Sequence, residues 1–214
     1  LGAKDQKKAS FVAGQVFLLS LLFGLAATLT GLFYLRPLLV LFGATPEILE
    51  LAVEYMSVIA NGALFLFFIM MMNHVTRAEG NPNFSMAVMI SSAVINIILD
   101  PIFIFGLGMG IKGAAVATVI AKIAGVAIQL WYFLTGRSAL SPSLKHLRPD
   151  LRIIWDIYKV GLPSLLIQIS GNLAIIIANQ ILGGFGYIPI AVMGIILRMQ
   201  MLAFMPVIGI SQGL

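Results

Sequence analysis

The chain has 214 residues, 60% of them hydrophobic and only 10% charged, against about 25% charged in an ordinary soluble domain, so water is not its main solvent. It has no cysteine and two histidines, which excludes disulfides, thiol catalysis and thiolate metal sites and leaves no imidazole cluster. The net charge of +5 is scattered over short loops, which argues against nucleic acid as a partner.

Apolar stretches long enough to cross a bilayer run over 11–35, 51–76, 84–106, 113–135, 153–182 and 187–210, which predicts an all-α polytopic membrane protein with six transmembrane helices. No initiator Met and no charged leader with a short apolar core precede the first span, so the chain reads as a fragment and not as a cleaved signal. Lys4, Lys7 and Lys8, then Arg77, then Arg137, Lys145, Arg148 and Arg152 fall on one side of the spans, while the other side holds Arg36 and Lys112. By the positive-inside rule both ends lie on the cytoplasmic side of the cell membrane.

After the first span, Gly43-Ala-Thr-Pro46 with Glu47, Glu50 and Glu54 predicts an outer turn and a helix start whose acids suit the positive end of the dipole. His74 sits at the cytoplasmic end of the second span as a polar cap, and Gly80-Asn-Pro-Asn83 turns the chain into the third. The glycines of 106–113 predict a short outer hairpin that packs spans three and four as antiparallel neighbours. They follow a helix and lack the Lys-Ser/Thr ending, so they do not cradle phosphate.

The stretch 137–152 turns to Ser, Pro, Arg and Lys and is read as a linker between a partial lobe, 1–136, and the start of a second, 153–214. Leu147, Leu151, Ile154 and Tyr158 recur at helical spacing, which predicts a surface helix that bends inward around Lys159, Gly161 and Pro163.

Asp100 stands deep in the third span, where an acid costs about 2.5–3.5 kcal/mol on insertion scales, so it is a candidate functional site. At a rise of about 1.5 Å per residue, it lies about 9 Å below Gly106 and Thr118 about 8 Å below Gly113, which predicts that the two are level. Asn96 shares a face with Asp100 and is expected level with Lys122, one turn deeper. Pro101 cannot donate to the Ile97 carbonyl and so frees an acceptor there. Carboxylate, amide and hydroxyl oxygens suit a Na⁺, and a desolvated carboxyl can carry H⁺. The competing reading is a buried Asp100–Lys122 ion pair that only fixes helix register.

Gln168, Asn172 and Asn179 form a polar stripe on the fifth span that either lines a cavity or makes interhelical hydrogen bonds. Arg198 in the last span is read first as structurally paired and second as a substrate contact. Met70, Met71, Met72, Met193, Met199, Met201 and Met205 are read first as gap filler and second as an adaptable drug-binding wall. No Ser/His/Asp or other catalytic constellation is visible, so the chain is not read as an enzyme.

Arg77-Ala-Glu-Gly-Asn-Pro82, the block Asn96-Ile-Ile-Leu-Asp-Pro through Thr118, Gly161-Leu-Pro163 and Met193-Gly-Ile-Ile-Leu-Arg198 resemble the multidrug and toxic compound extrusion (MATE) transporters over essentially the whole chain. The resemblance implies two six-helix lobes, this chain being helices three to eight of twelve, and export of organic cations or drugs in exchange for H⁺ or Na⁺. No other cofactor is implied, and the complete transporter is expected to be a monomer in the bilayer. Asn96, Asp100 and Thr118 match the family's amino-terminal-lobe cation site, whose further Asp on the first helix has no counterpart here. The NorM-like branch carries a Glu where this chain has Gly171, so the DinF-like branch is the better match. Lys122 belongs to no family motif and stands as a modulator of the site. The alternatives are a lipid-linked saccharide flippase of the same superfamily, which would need a strongly cationic cavity, and a non-transporting membrane scaffold.

Overall fold

The computed structural model describes residues 6–138 and 149–213, with side chains over 8–138 and 149–204. The predicted charges Lys145, His146 and Arg148, together with Leu147 and Lys4, lie outside the described residues, as do the side chains of Lys7 and Met205.

Among the described residues seven α-helices follow one another in chain order: α1 (Gln6–Leu41), α2 (Pro46–Asn61), α3 (Ala63–Ala78), α4 (Pro82–Pro101), α5 (Gly110–Leu134), α6 (Leu151–Gly183) and α7 (Tyr187–Gly213). A π-helical turn, Ile102–Gly106, extends α4. Five of the spans are long and apolar enough to cross a membrane, and α2 with α3 make a sixth, bent by 57° at the break. The protein is thus a multi-pass, all-α membrane protein.

The second span departs from the expectation for 51–76. It starts earlier, at Pro46, and breaks at Gly62. The fifth departs in the opposite sense: among the described residues α6 runs as one helix from Leu151 through Lys159, Gly161 and Pro163 to Gly183, with no separate surface helix. Pro163 is tolerated there because a missing N–H removes one bond from a long ladder without breaking it. In α1, Tyr34 leaves helical dihedrals (φ −125°, ψ 17°) just before Pro37, whose ring crowds the preceding turn.

The chain forms two compact units. One gathers the chain up to Leu35 with Val53–Pro163, the other Arg36–Ala52 with the chain from Ser164 onward. The core of the first is built from Ala13 on α1, Ile69, Met71, Met72 and Val75 on α3, Val88 on α4, and Val126, Tyr132 and Phe133 on α5. Met71 and Met72 therefore fill the core, while Met70, Met199 and Met201 are exposed. Asn81 caps α4 by accepting the Phe84 N–H at 3.2 Å, with Pro82 at the first helical position, a residue choice suited to helix starts. Gly108 (φ +63°) and Gly110 (φ +55°) turn the chain between α4 and α5, as the glycine pattern predicts.

In the second unit the end of α1 is held by α6. Gln180 donates to the Val40 and Leu41 carbonyls at 3.1 and 2.6 Å, satisfying acceptors that a helix C-terminus leaves open. Arg36 forms a two-oxygen contact with Glu50 at 2.7 Å, and both side chains are more than half exposed. Exposed pairs contribute little, so Glu50→Ala is expected to lower stability by no more than about 1 kcal/mol. A thermal melt in detergent at low and high salt checks this, and a loss that is large and indifferent to salt would contradict it.

Candidate functional site

Asp100 and Asn96 are both half-buried on α4. The Asn96 amide nitrogen donates to Asp100 Oδ1 at 3.1 Å, the same-face contact that a four-residue spacing predicts. This bond leaves the amide oxygen of Asn96 available alongside the carboxylate. Pro101 supplies no N–H to the Ile97 carbonyl, and the next N–H, of Ile102, goes to Leu99 instead. The helix then widens into its π turn, closed by Leu107 N–H to the Ile102 carbonyl at 2.9 Å. An acid and an amide thus share one helical turn, just before the backbone bonding departs from the α pattern.

Two contacts set how α5 lies along α4. Ser92 donates to the Ala121 carbonyl at 2.9 Å, and Gly113 packs so closely on the Phe103 backbone that a Cβ there would stand 2.7 Å away. Between these anchors Thr118 lies abreast of Asn96, one turn below Asp100, and Lys122 lies abreast of Ser92. Lys122 is therefore about 12 Å further along the helix axis than Asp100, from a rise of about 1.5 Å per residue. The expected levels are corrected by one turn, because α5 already begins at Gly110 and its Gly113 packs beside Phe103, not level with Gly106.

No ion pair joins Asp100 to Lys122 among the described residues. Thr118 donates to the Ala114 carbonyl of its own helix at 2.9 Å, so its oxygen keeps lone pairs for a ligand. Among the described residues it makes no hydrogen bond to Asn96 or Asp100. The carboxylate, the amide oxygen and the hydroxyl form an oxygen-only donor set of the kind hard cations take. No group of three or more His, Cys, Asp or Glu occurs among the described residues, so a multi-carboxylate metal centre is not what this set resembles.

The other predicted residues separate. Gln168 and Asn172 are exposed on α6, whereas Asn179 donates to the Phe42 carbonyl at 3.5 Å. Arg198 is exposed on α7.

The MatE family profile matches residues 1–102. The multidrug export protein MepA of Staphylococcus aureus is 31% identical over 213 residues, covering all of this chain and 47% of its own length. A solved structure described as the inward-facing conformation of a multidrug resistance MATE family transporter of the MOP superfamily superposes on 97% of this chain and 48% of its own, with a TM-score of 0.89 and 35% identity. These likenesses support a MATE family fragment covering roughly half of a transporter.

It spans about half the length of the curated relatives it matches. A third likeness, 35% identical with a TM-score of 0.85 over 99% of this chain and 47% of the other, is to a MOP superfamily transporter from Pyrococcus furiosus whose binding pocket is described as of reverse polarity, suggesting a different function.

The chain also carries a buried polar network that the sequence pattern does not single out. Asn73 Oδ1 accepts from Ser85 Oγ at 2.8 Å and from Gln129 Nε2 at 3.0 Å, while Thr76 donates to Gln129 Oε1 at 3.1 Å. All four are buried, and Thr76 and Gln129 completely so. The network ties α3, α4 and α5 together at the end of the unit away from the π turn. A signal existed: Asn73 and Thr76 are three residues apart in an apolar helix and so share a face.

Proposed function

We propose that the complete protein is a secondary antiporter that exports organic cations or drugs in exchange for H⁺ or Na⁺, with Asn96, Asp100 and Thr118 as its coupling-ion site. The observation that carries this is the Asn96–Asp100 pair on a disrupted helical turn, abreast of Thr118 on the neighbouring helix. Two lobes, joined by the linker at 137–152, rock about a central cavity, and ion occupancy biases one arrangement. Each coupling charge carried across the full potential supplies about 2.3 kcal/mol per 100 mV. Both ends of this chain lie on the cytoplasmic side of the cell membrane, the complete transporter works as a monomer, and Gly171 favours the DinF-like branch. The names of the relatives, a multidrug export protein and a multidrug resistance transporter, support the same reading.

A flippase for lipid-linked saccharides of the same superfamily is the second reading. A pyrophosphate needs a cluster of cations, and the interiors of the spans offer Lys122, Lys159 and Arg198, one each on α5, α6 and α7. Reconstituted full-length protein tests the choice. An imposed Na⁺ or H⁺ gradient is expected to drive ethidium across the vesicle membrane, and the opposing ion to flow back in exchange. Ethidium movement indifferent to both gradients would overturn the antiporter.

A further inference from the structure

The second span breaks at Gly62, and the break is packed directly on the turn of α5 that carries Thr118. Gly62 is buried. Its N–H still bonds the Val58 carbonyl at 3.0 Å, and its own carbonyl accepts from Phe65 at 3.0 Å and Leu66 at 3.3 Å, so the bend of 57° is an ordered joint and not a frayed end. A Cβ on Gly62 would stand 2.5 and 2.8 Å from the two Val119 methyls and 3.2 Å from the Val119 Cβ. Close approaches flank the joint on both sides: Gly31 of α1 meets Ala60, and Gly24 of α1 meets Leu64. The two halves of the span are thus seated on α1, leaving α5 as the neighbour that would have to yield.

We infer that Gly62 is a positioning residue for the coupling-ion site, acting through Val119 to hold Thr118 abreast of Asn96. Valine is stiff at χ1, and with both methyls and the Cβ itself against the glycine, no rotamer clears an added methyl. The α5 backbone must shift, and Thr118 is the adjacent residue on it. Ion coordination is sensitive to such a shift, since about 1 Å of misplacement can cost about a hundredfold. The inference rests on the proposed coupling site.

The test uses the full-length transporter in proteoliposomes, with ethidium as the transported probe and Na⁺ or H⁺ as the driving ion. Gly62→Ala is expected to raise the half-saturating concentration of the coupling ion about tenfold. Adding Val119→Ala on top of it, which removes both clashing methyls, is expected to bring that value back to within about threefold of wild type. A merely destabilising glycine substitution would lower the amount of active protein without moving the ion dependence. An unchanged ion dependence in Gly62→Ala, or a double variant no better than the single, overturns the inference. If Gly62→Ala does not reach the membrane, Val119→Ile loads the same contact from the opposite helix and is read by the same criterion. Asp100→Asn is run alongside: if it too leaves coupling intact, the site assignment itself has failed, whereas its loss with a silent Gly62→Ala condemns only the positioning role.

Discussion

Asp100→Asn is expected to abolish ion-driven export by the full-length protein while leaving its membrane insertion and abundance unchanged. The substitution keeps the side-chain shape and removes the one acid on the α4 turn where Asn96 donates to it. A neutral amide neither carries a proton at this position nor offers a cation a full charge, so the driving ion loses its preference between the two states and shifts nothing. Insertion improves if it changes at all, since the acid opposes it by about 2.5–3.5 kcal/mol. Gradient-driven ethidium uptake into inverted vesicles, normalised to protein in the membrane, gives the answer. Uptake at the wild-type rate would remove Asp100 from the coupling mechanism, and with it the central member of the proposed site.

The second large effect is on stability. Asn73→Leu strands the Gln129 amide nitrogen and weakens the Ser85 bonding, both within a network from which water is excluded. A buried polar group left without its partner costs about 1–3 kcal/mol, although bonds between membrane helices average only about 0.6 kcal/mol because the denatured state also finds partners. A loss of about 2 kcal/mol is expected from these opposing considerations. The unfolding midpoint of purified protein in detergent should fall clearly for Asn73→Leu and hardly at all for Glu50→Ala. Equal midpoints for the two variants would mean that the network does not hold α3, α4 and α5 together.

These two sites were not equally visible beforehand. The third and fourth spans, expected at 84–106 and 113–135, are observed as Pro82–Gly106 and Gly110–Leu134, because charge, proline and glycine mark their ends sharply. Asp100 announced itself by its cost in hydrocarbon, and Asn96 by its spacing from it. Lys122 lies deeper than the spacing predicts because Gly113 packs beside Phe103, about one turn short of Gly106. The break at Gly62 was invisible for a different reason: hydropathy reports what a span is made of, not the path its backbone takes. Thr76 and Gln129 were passed over since a single polar residue in an apolar helix carries no information about its partner. Only packing α5 against α3 gives Gln129 both its donor, Thr76, and its acceptor, Asn73.

The wide turn at Ile102–Gly106 also has a meaning in terms of chain length. A π turn is an α-helical turn with an additional residue accommodated in it. A version of the protein one residue shorter in this interval would close as plain α-helix, and everything beyond would swing by about 100° around the axis. Gly113 would then come off the Phe103 backbone, and the lateral match between Thr118 and Asn96 would be lost. Insertions and deletions, generally harmless in exposed loops, are for these five residues equivalent to re-aiming a helix.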